Sequence, residues 1–458
     1  MTAKATPSRG LRSQAVPLKG WTLRFLGVGE TCDLGDLYLA LLKEGHEVRI
    51  SISEPLAQGT LAGLCARAAD WRAELAWVRD AGPDGIVLFE AVSEGLGDLQ
   101  DQLRAQGFNV IGGSAYGDRL ENDRLFGQQV LADLGFPQGH VRRFEDAQAA
   151  EAFIATRPGR YVLKYDGGDH ASGDNYIGRS ADGRDVAAML RSRRASSAPS
   201  GDSFILMDFI EGVEMGVGAY FDGTRFLRPA CLDWEHKRFF AGDLGELTGE
   251  MGTVVTYERT QLFFEQTLAR MESRLREHRH VGYVNLNTIV NEAGIWPLEF
   301  TSRFGYPGFA ILAPLQDLGW GELFRRMIAG GPSNLPVRPG FCVGVVLTTP
   351  PFPYTRKQVA EPVGLPVMVD PGVDARHFHF GEVGLDASGE LATSGLYGWT
   401  LVVTGEGPTI AAAQAEAYRN ASRVVVPNAR YRLDIGDRLI AGDYAWVERL
   451  GLLDVPLA

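Results

Sequence analysis

Glu299, Arg303, Asn287 and Thr301 are the residues whose types and spacing first suggest chemistry. Glu299 and Thr301 are two apart, so in a strand their oxygen-bearing tips share one face while Leu298 and Phe300 take the other. Val284 to Val290 alternates as a strand, residues 291–294 supply turn chemistry, and Trp296 to Thr301 pairs back. Asn287 lies twelve residues before Glu299, a separation that could set its amide oxygen opposite the carboxylate across the hairpin. Oxygen donors on adjacent strands suit Mg²⁺, with Mn²⁺ as the alternative, and nucleotide phosphates would complete the ligand set. Arg303 follows as a guanidinium aimed from the end of the second strand. Taken alone, the same residues are equally an ordinary hairpin with a polar solvent face.

Three further segments carry polar groups in suggestive places. Lys164 ends the apolar run Tyr161 to Lys164 and precedes a loop containing Gly167 and Gly168. Backbone N–H groups of such a loop can approach phosphate oxygens while the ammonium supplies a point charge. Its plain alternative is an edge-strand lysine beside a turn. Phe204 to Phe209 reads as a buried strand that breaks into an acidic turn, where backbone groups near Asp208 and Ile210 could read an adenine edge and Glu214 could accept from ribose hydroxyls. Residues 233–252 mix acids, glycines and the cations His236, Lys237 and Arg238 with little periodicity, which suits a loop that clamps an anionic reactant or simply a solvated surface.

These groups need positioning elements. Leu23 to Val28, a helix from about Leu34 to Glu44 and a strand at Glu47 to Ser51 form a βαβ opening. Strands at Ile86 to Glu90 and Asn109 to Ile111, with a helix at about Gly97 to Gln106 between them, extend it into a doubly wound domain. The single G-x-G at Gly27 to Gly29 lacks a dinucleotide fingerprint. A helix from Arg119 to Leu134 should end at Gly135 before Pro137, followed by a helix at Ala147 to Thr156 and another near Asp185 to Arg191. Residues 192–201 read as a local connector. Beyond Gly331 to Pro339 the pattern turns mostly to strands, at Cys342 to Leu347, Ala375 to Phe380 and Trp399 to Thr404, closed by a helix at Thr409 to Arg423.

A chain of 458 residues with 45% hydrophobic content can bury several cores, roughly two to four domains. The net charge of −12 argues against a phosphate-backbone binder, so no direct nucleic-acid partner is expected. The four scattered cysteines carry neither a disulfide framework nor zinc spacing. No apolar run approaches a membrane span, and residues 1–19 read as a disordered extension. The expected setting is cytoplasmic, as a monomer or homodimer.

The order of these segments, Lys164 with its loop, the hinge to Glu214, the His-Lys-Arg stretch with Thr-Gly-x-Met-Gly, then E-F-x-x-R-F-G-x-P, resembles the ATP-grasp ligases and, within them, the phosphoribosylamine–glycine ligase family. The likeness runs over roughly residues 20–440. It implies an α/β and α+β multidomain fold: an N-terminal doubly wound domain over 20–118, an ATP-grasp core over 119–335 with a small lid at about 138–206, and a β-rich C-terminal domain over 336–458. It implies ATP and Mg²⁺ as cofactors, small-molecule carboxylate and amine substrates, and amide formation through an acyl phosphate. By position, Lys164 and Arg124 resemble the ATP-phosphate contacts, Glu214 the ribose acid, Glu299 the metal carboxylate, and Arg303 the arginine of the acyl substrate. The reactant stretch is expected to supply His236 and Lys237 as catalytic groups and Glu235, Thr248, Gly249, Met251 and Gly252 as substrate contacts, beside Arg303.

The departures from the family pattern fall on both the metal and nucleotide side and the acceptor side. Thr301 replaces the metal-site asparagine, with Asn287 as the compensating ligand, and Tyr306 and Gly308 replace two carboxylates. Gly27 to Asp33 lacks the G-N-G-G-R-E-H pattern associated with a phosphorylated amine, and the Gly-rich loop lacks a second lysine. Glu30, Asp33, Glu246 and Glu250 add acids around that region. The expectation is a carboxylate–amine ligase with an amino acid such as glycine as donor and an altered, neutral or cationic acceptor. Two alternatives are the authentic phosphoribosylamine–glycine ligase and a catalytically silent nucleotide-binding scaffold.

Overall fold

The computed structural model describes residues 20–93, 95–165, 175–195 and 203–455. Residues 1–19, the loop bearing Gly167 and Gly168, and residues 196–202 of the expected connector lie outside the described residues.

Five short strands open the fold: β1 (Arg24–Gly29), β2 (Glu47–Ile52), β3 (Ala66–Arg67), β4 (Gly85–Phe89) and β5 (Asn109–Ile111). They pair in parallel in the order β3-β2-β1-β4-β5. All five residues of β4 are buried, as a parallel strand covered on both faces requires. A second, antiparallel sheet follows, from β6 (Val141–Phe144), β7 (Tyr161–Tyr165), β8 (Tyr176–Ile177) and β9 (Phe204–Asp208), in the order β6-β9-β7-β8. It packs its own small core of Phe144, Ile154, Tyr161, Leu163, Leu190 and Leu206.

The largest sheet is assembled from β10 (Val213–Asp222), β11 (Cys231–Glu235), β14 (Gly252–Thr256), β15 (Val281–Asn291), β16 (Gly294–Thr301), β17 (Phe341–Thr348), β19 (Phe378–Phe380) and β22 (Trp399–Gly407). Their order is β16-β15-β10-β11-β14-β17-β22-β19. Small pairs are formed by β12 (Arg238–Phe240) with β13 (Leu244–Leu247), β18 (Met368–Val369) with β23 (Val424–Val425), and β20 (Val383–Leu385) with β21 (Leu391–Thr393). The sheet runs straight past residue 335, so the β-rich C-terminal part extends the central sheet with β17, β22 and β19.

Period-two alternation explains why this sheet can carry a site. One face presents Met215, Val217, Leu232, Trp234, Val284, Leu286 and Phe300 to a single large core. The intervening residues face the other way. Strand register aligns them in a row across five strands: Glu299, Asn287, Gly216, Asp233 and Val255. The expected pairing of Asn287 with Glu299 is thus observed, and the hairpin turns through Glu292 and Ala293, with Asn291 accepting the Ala293 N–H at 2.9 Å. A bulge leaves Leu298 unpaired just before Glu299, a device that re-aims a strand beside a site.

Three expectations are corrected. The helix expected over Arg119 to Leu134 is two, Ala115–Asn122 and Arg124–Asp133, because Asp123 leaves helical geometry (φ −100°, ψ 91°) and accepts the Phe126 N–H as an N-cap. Ala375 to His377 is a 3₁₀ turn capped by Asp374, and only Phe378–Phe380 pairs as a strand. The aperiodic loop expected over 233–252 is largely β-structure, formed by β11, β12, β13 and the start of β14.

Candidate active site

Glu299 is the meeting point of three cations that arrive from three different elements. Its Oε2 lies 3.2 Å from the Arg124 guanidinium and 3.5 Å from Lys164 Nζ, and its Oε1 lies 3.7 Å from Lys237 Nζ. Arg124 opens its helix immediately after the Asp123 cap, and Lys164 leaves β7 toward the central sheet. Lys164 leads the cations that, against burial, hold the Glu299 carboxyl well below the usual carboxylate range. Burial works against the charge on Lys237, but Glu214 at 2.7 Å, Glu235 at 3.2 Å and Glu299 outweigh it and hold its pKa well above the ordinary lysine value.

Beside this cluster a cavity of ≈ 230 Å³ is floored by the polar face of the sheet. Arg303 reaches it from beyond β16, with Nε held 3.0 Å from Glu121 Oε1. Five carboxylates line it, those of Asp33, Asp233, Glu235, Glu250 and Glu299, against the two cations Lys237 and Arg303. Asp233 accepts from Asn285 Nδ2 at 2.6 Å, and burial, then the neighbouring Glu235, push its carboxyl up to about 8. Burial likewise raises Glu250 well above the usual range and raises Asp33. Glycines make the room: a Cβ on Gly216 would fall 2.2 Å from Asp233 Oδ1, and one on Gly218 would fall 2.0 Å from the Tyr283 hydroxyl. Aromatic walls complete the cavity. Tyr220 meets Tyr283 edge-on at 5.1 Å, and Tyr306 stacks on Trp399 at 4.9 Å. Trp399 is set in place by Glu382, which accepts the backbone N–H groups of Leu396, Tyr397, Gly398 and Trp399.

The sequence-derived candidates therefore divide. Glu299, Asn287, Thr301, Arg303, Lys237, Glu235 and Gly249 line the cavity, and Arg124, Lys164 and Glu214 adjoin it through ion pairs. Asp208 and Ile210 lie at the link from β9 to β10, with Asp208 3.8 Å from Arg157. Four residues do not face the cavity as expected. His236 is buried behind β11, where its Nε2 accepts the Gly436 N–H at 3.1 Å, and burial, then Arg432, depress its pKa to about 4. Met251 is fully buried with Phe239 and Phe352, Thr248 spends both its N–H and its hydroxyl on the Lys237 carbonyl, and Gly252 pairs into the sheet opposite Val345. Of the four acids expected near the acceptor, Asp33 and Glu250 line the cavity, whereas Glu246 is hydrogen-bonded by the Tyr354 hydroxyl at 3.3 Å and Glu30 is not a lining residue. Glu121, Asp233, Asn285, Tyr283 and Trp399 were not expected as site residues. The signal for three of them was the alternation that also marks Glu235 and Asn287, polar residues two apart inside apolar strands.

The donor set near Glu299 can be tested against Mg²⁺. This ion takes one or two carboxylates and fills the rest of its octahedron with waters and phosphate oxygens. Glu299 supplies the carboxylate and Thr301 a hydroxyl, while the Asn287 amide nitrogen is engaged with Glu235 at 3.1 Å, which leaves its oxygen end for a cation. Among the described residues no group of three or more His, Cys, Asp or Glu is placed to hold a metal by itself. The residues fit an ion that arrives with phosphate.

A two-sheet clamp with lysine and arginine directed at a strand carboxylate is the arrangement of the ATP-grasp ligases, and the comparisons place an ATP-grasp domain in this chain. Residues 122–309 match the family described as phosphoribosylglycinamide synthetase, ATP-grasp (A) domain. Within that class the chain resembles phosphoribosylamine–glycine ligase. It is 28% identical to the phosphoribosylamine–glycine ligase of Neisseria meningitidis serogroup B over 357 residues, 75% of this chain and 81% of that one. The crystal structure of phosphoribosylamine–glycine ligase from Thermotoga maritima superposes with a TM-score of 0.69 at 21% identity, covering 90% of this chain and all of that chain (100%). The biotin carboxylase domain of Hydrogenobacter thermophilus 2-oxoglutarate carboxylase, solved with MgADP, shares the fold at a TM-score of 0.62 and 11% identity, over 89% of this chain and 91% of that one. No described helix is long and apolar enough to cross a membrane.

Proposed function

We propose that this protein joins a carboxylate to an amine at the expense of ATP, through an acyl phosphate, with an amino acid such as glycine as donor and an acceptor that is not phosphorylated. The observation that carries the acceptor assignment is the excess of carboxylates over cations in the cavity, five to two. Burial raises the pKa of three of them, Asp33, Asp233 and Glu250, so they offer a phosphate no counter-charge, and Lys237 is already taken up by Glu214, Glu235 and Glu299. The N-terminal loop supports the same reading. The Asp33 N–H donates to Glu90 Oε2 at 2.9 Å and the Tyr38 hydroxyl to Glu90 Oε1 at 2.8 Å, so donors at this helix start are already spent on the chain's own carboxylate.

Positioning and charge neutralisation do the work, and no nucleophilic side chain is needed. Lys164 and Arg124 exchange Glu299 for nucleotide phosphate. Arg303, steadied by Glu121, presents two N–H groups to the donor carboxylate, a fork that lysine lacks. A carboxylate oxygen attacks the γ-phosphorus and the bond to ADP breaks. The amine lone pair then attacks the acyl carbon, the C–O bond leaves with inorganic phosphate, and the nitrogen gives its proton to a cavity carboxylate. Mg²⁺, held by Glu299 with Asn287 and Thr301, would neutralise charge on the phosphates.

The test is ADP release with Mg-ATP, amino acids and a panel of amines. Release that needs both reactants supports the ligase, and ATP binding without turnover would favour a silent scaffold. The likeness over three quarters of the chain to phosphoribosylamine–glycine ligases favours a second reading, the authentic purine-pathway enzyme. Efficient glycine-dependent use of 5-phosphoribosylamine would establish it and remove the altered acceptor.

A further inference from the structure

Two of the five cavity carboxylates are ion-paired, Glu299 with Lys164, Arg124 and Lys237 and Glu235 with Lys237, whereas Asp33 feels Arg303 and Asp233 and Glu250 feel Lys237 only at longer range. Asp233 and Glu250 make no ion pair among the described residues. Glu250 is answered by the Thr253 hydroxyl, and Asp233 by the Asn285 amide at a single oxygen. The other Asp233 oxygen, Oδ1, has no hydrogen-bond partner although the residue is only 6% exposed. A buried carboxylate without a counter-charge is costly, so it is either protonated or meant to meet a cation.

The surroundings say which cation. Asp233 and Glu250 have one amide and one hydroxyl beside them and aromatic walls around them, a setting poor in the further oxygen ligands a divalent ion needs. The cavity walls are aromatic, and aromatic faces beside carboxylates favour organic ammonium groups. Asp233 also stands three strand steps from Glu299 in the same row, roughly 14 Å at the usual strand spacing, which leaves room for an acyl group and an acceptor between them.

We propose that the acceptor is a diamine-class compound, whose reacting nitrogen faces the acyl group and whose second, non-reacting ammonium is held by Asp233 and Glu250. This rests on the ligase reading above. The choice of a second cationic group follows from the buried Asp233 Oδ1, which no donor meets, standing beside Glu250, which makes no ion pair, at the far end of the row from Glu299.

Calorimetry on the full chain without ATP tests it, using 1,3-diaminopropane against 3-amino-1-propanol, which keeps one ammonium and replaces the other with a hydroxyl. The diamine should bind at least tenfold tighter. Asp233→Asn should reduce that preference to twofold or less, and Glu250→Gln should do the same should the first variant fail to fold. Equal binding of the two probes by the unmodified protein, or a preference that survives both substitutions, overturns the proposal. The ligase reading is checked separately in the unmodified protein, by trapping the acyl phosphate from glycine and other amino acids with hydroxylamine. Absence of hydroxamate would sink that reading while the calorimetric comparison still decides whether the cation site exists.

Discussion

Glu299→Gln removes one negative charge with almost no change of shape, and its effects on stability and on turnover should separate cleanly. Three contacts of 3.2, 3.5 and 3.7 Å to Arg124, Lys164 and Lys237 are lost as charge pairs. At an effective dielectric of about 20 each is worth roughly 4–5 kcal/mol before screening. The Glu299 side chain is 35% exposed and Arg124 30%, however, so water reduces each pair toward about 1 kcal/mol. The stability loss should therefore total only about 2–3 kcal/mol, and the variant should fold. Turnover should fall further, because a carboxylate that neutralises a phosphate-bound ion contributes to the transition state. A loss of about 2–3 kcal/mol there is roughly a 30- to 160-fold fall in ADP release. The diagnostic readout is the metal dependence. Freeing Lys164 and Arg124 should leave ATP binding in EDTA as tight as in the unmodified protein or tighter, while the Mg²⁺ concentration needed for half-maximal turnover rises at least tenfold. A variant with unchanged Mg²⁺ dependence and turnover within threefold would refute the assignment of Glu299 as the metal carboxylate.

Arg303→Lys should cut hydroxamate formation by roughly 10–100-fold while leaving ATP binding intact, since the planar fork is what the donor carboxylate needs; full activity at saturating donor would contradict this. His236→Gln should change turnover less than threefold because the imidazole is buried away from the cavity. Its pKa of about 4 lies below the ordinary 6.5, so the unfolded chain binds the extra proton between those values and the His236 contribution is present above pH 6.5 and lost as pH falls toward 4. Acid melting should thus cost the unmodified protein up to about 3 kcal/mol more than the variant, and equal acid sensitivity would count against it. Asp233→Asn should show the opposite sign. The folded carboxyl titrates near 8 against 3.8, so its contribution is fully present below pH 4 and lost as pH rises through 8. The ligand-free variant should melt higher than the unmodified protein at pH 8.5, by a few kcal/mol of stability, and a lower melting point would argue that Asp233 is structurally paired.

Legibility in the sequence followed the range of the physics involved. The hairpin from Val281 to Thr301 could be read because strand alternation and turn chemistry are local, and the twelve-residue spacing set Asn287 against Glu299. Asp123 was misread because its neighbours continue an apolar helical pattern, and only the cap geometry breaks it. In sequence His236 and Met251 flank Lys237 and Glu250 and so read as reactant-side residues, yet in a strand adjacent residues face opposite ways. The same rule, applied to residues 231–235 as a strand, would have turned His236 inward and picked out Asp233. The glycines and charges of 233–252 mask that strand pattern and read as a loop. Glu121 and Trp399 could not be found locally at all. They reach Arg303 and the cavity across separations of 182 residues for the Arg303–Glu121 pair, and by a Glu382 carboxylate that shapes the turn before β22.

The row from Glu299 to Asp233 also bears on how such a site could change its acceptor without losing its first half-reaction. Along that row the sheet supplies a carboxylate gripped by cations, an amide, a glycine, and a carboxylate held at one oxygen by Asn285 and met at the other by no donor. The cationic end is the one that would meet phosphate in the proposed reaction, and its groups come from β7, the helix after Asp123 and the strand end at Glu235. The acidic end is built from β11, β15 and the residue before Met251, and it shares only Lys237 and Glu235 with the first. Because the ion pair between those two residues lies at the junction, the acceptor end can be rebuilt by exchanging residues on two strands while the phosphate end keeps every contact it needs. The glycine at 216 makes that exchange sterically possible, since any side chain there would displace the Asp233 carboxylate.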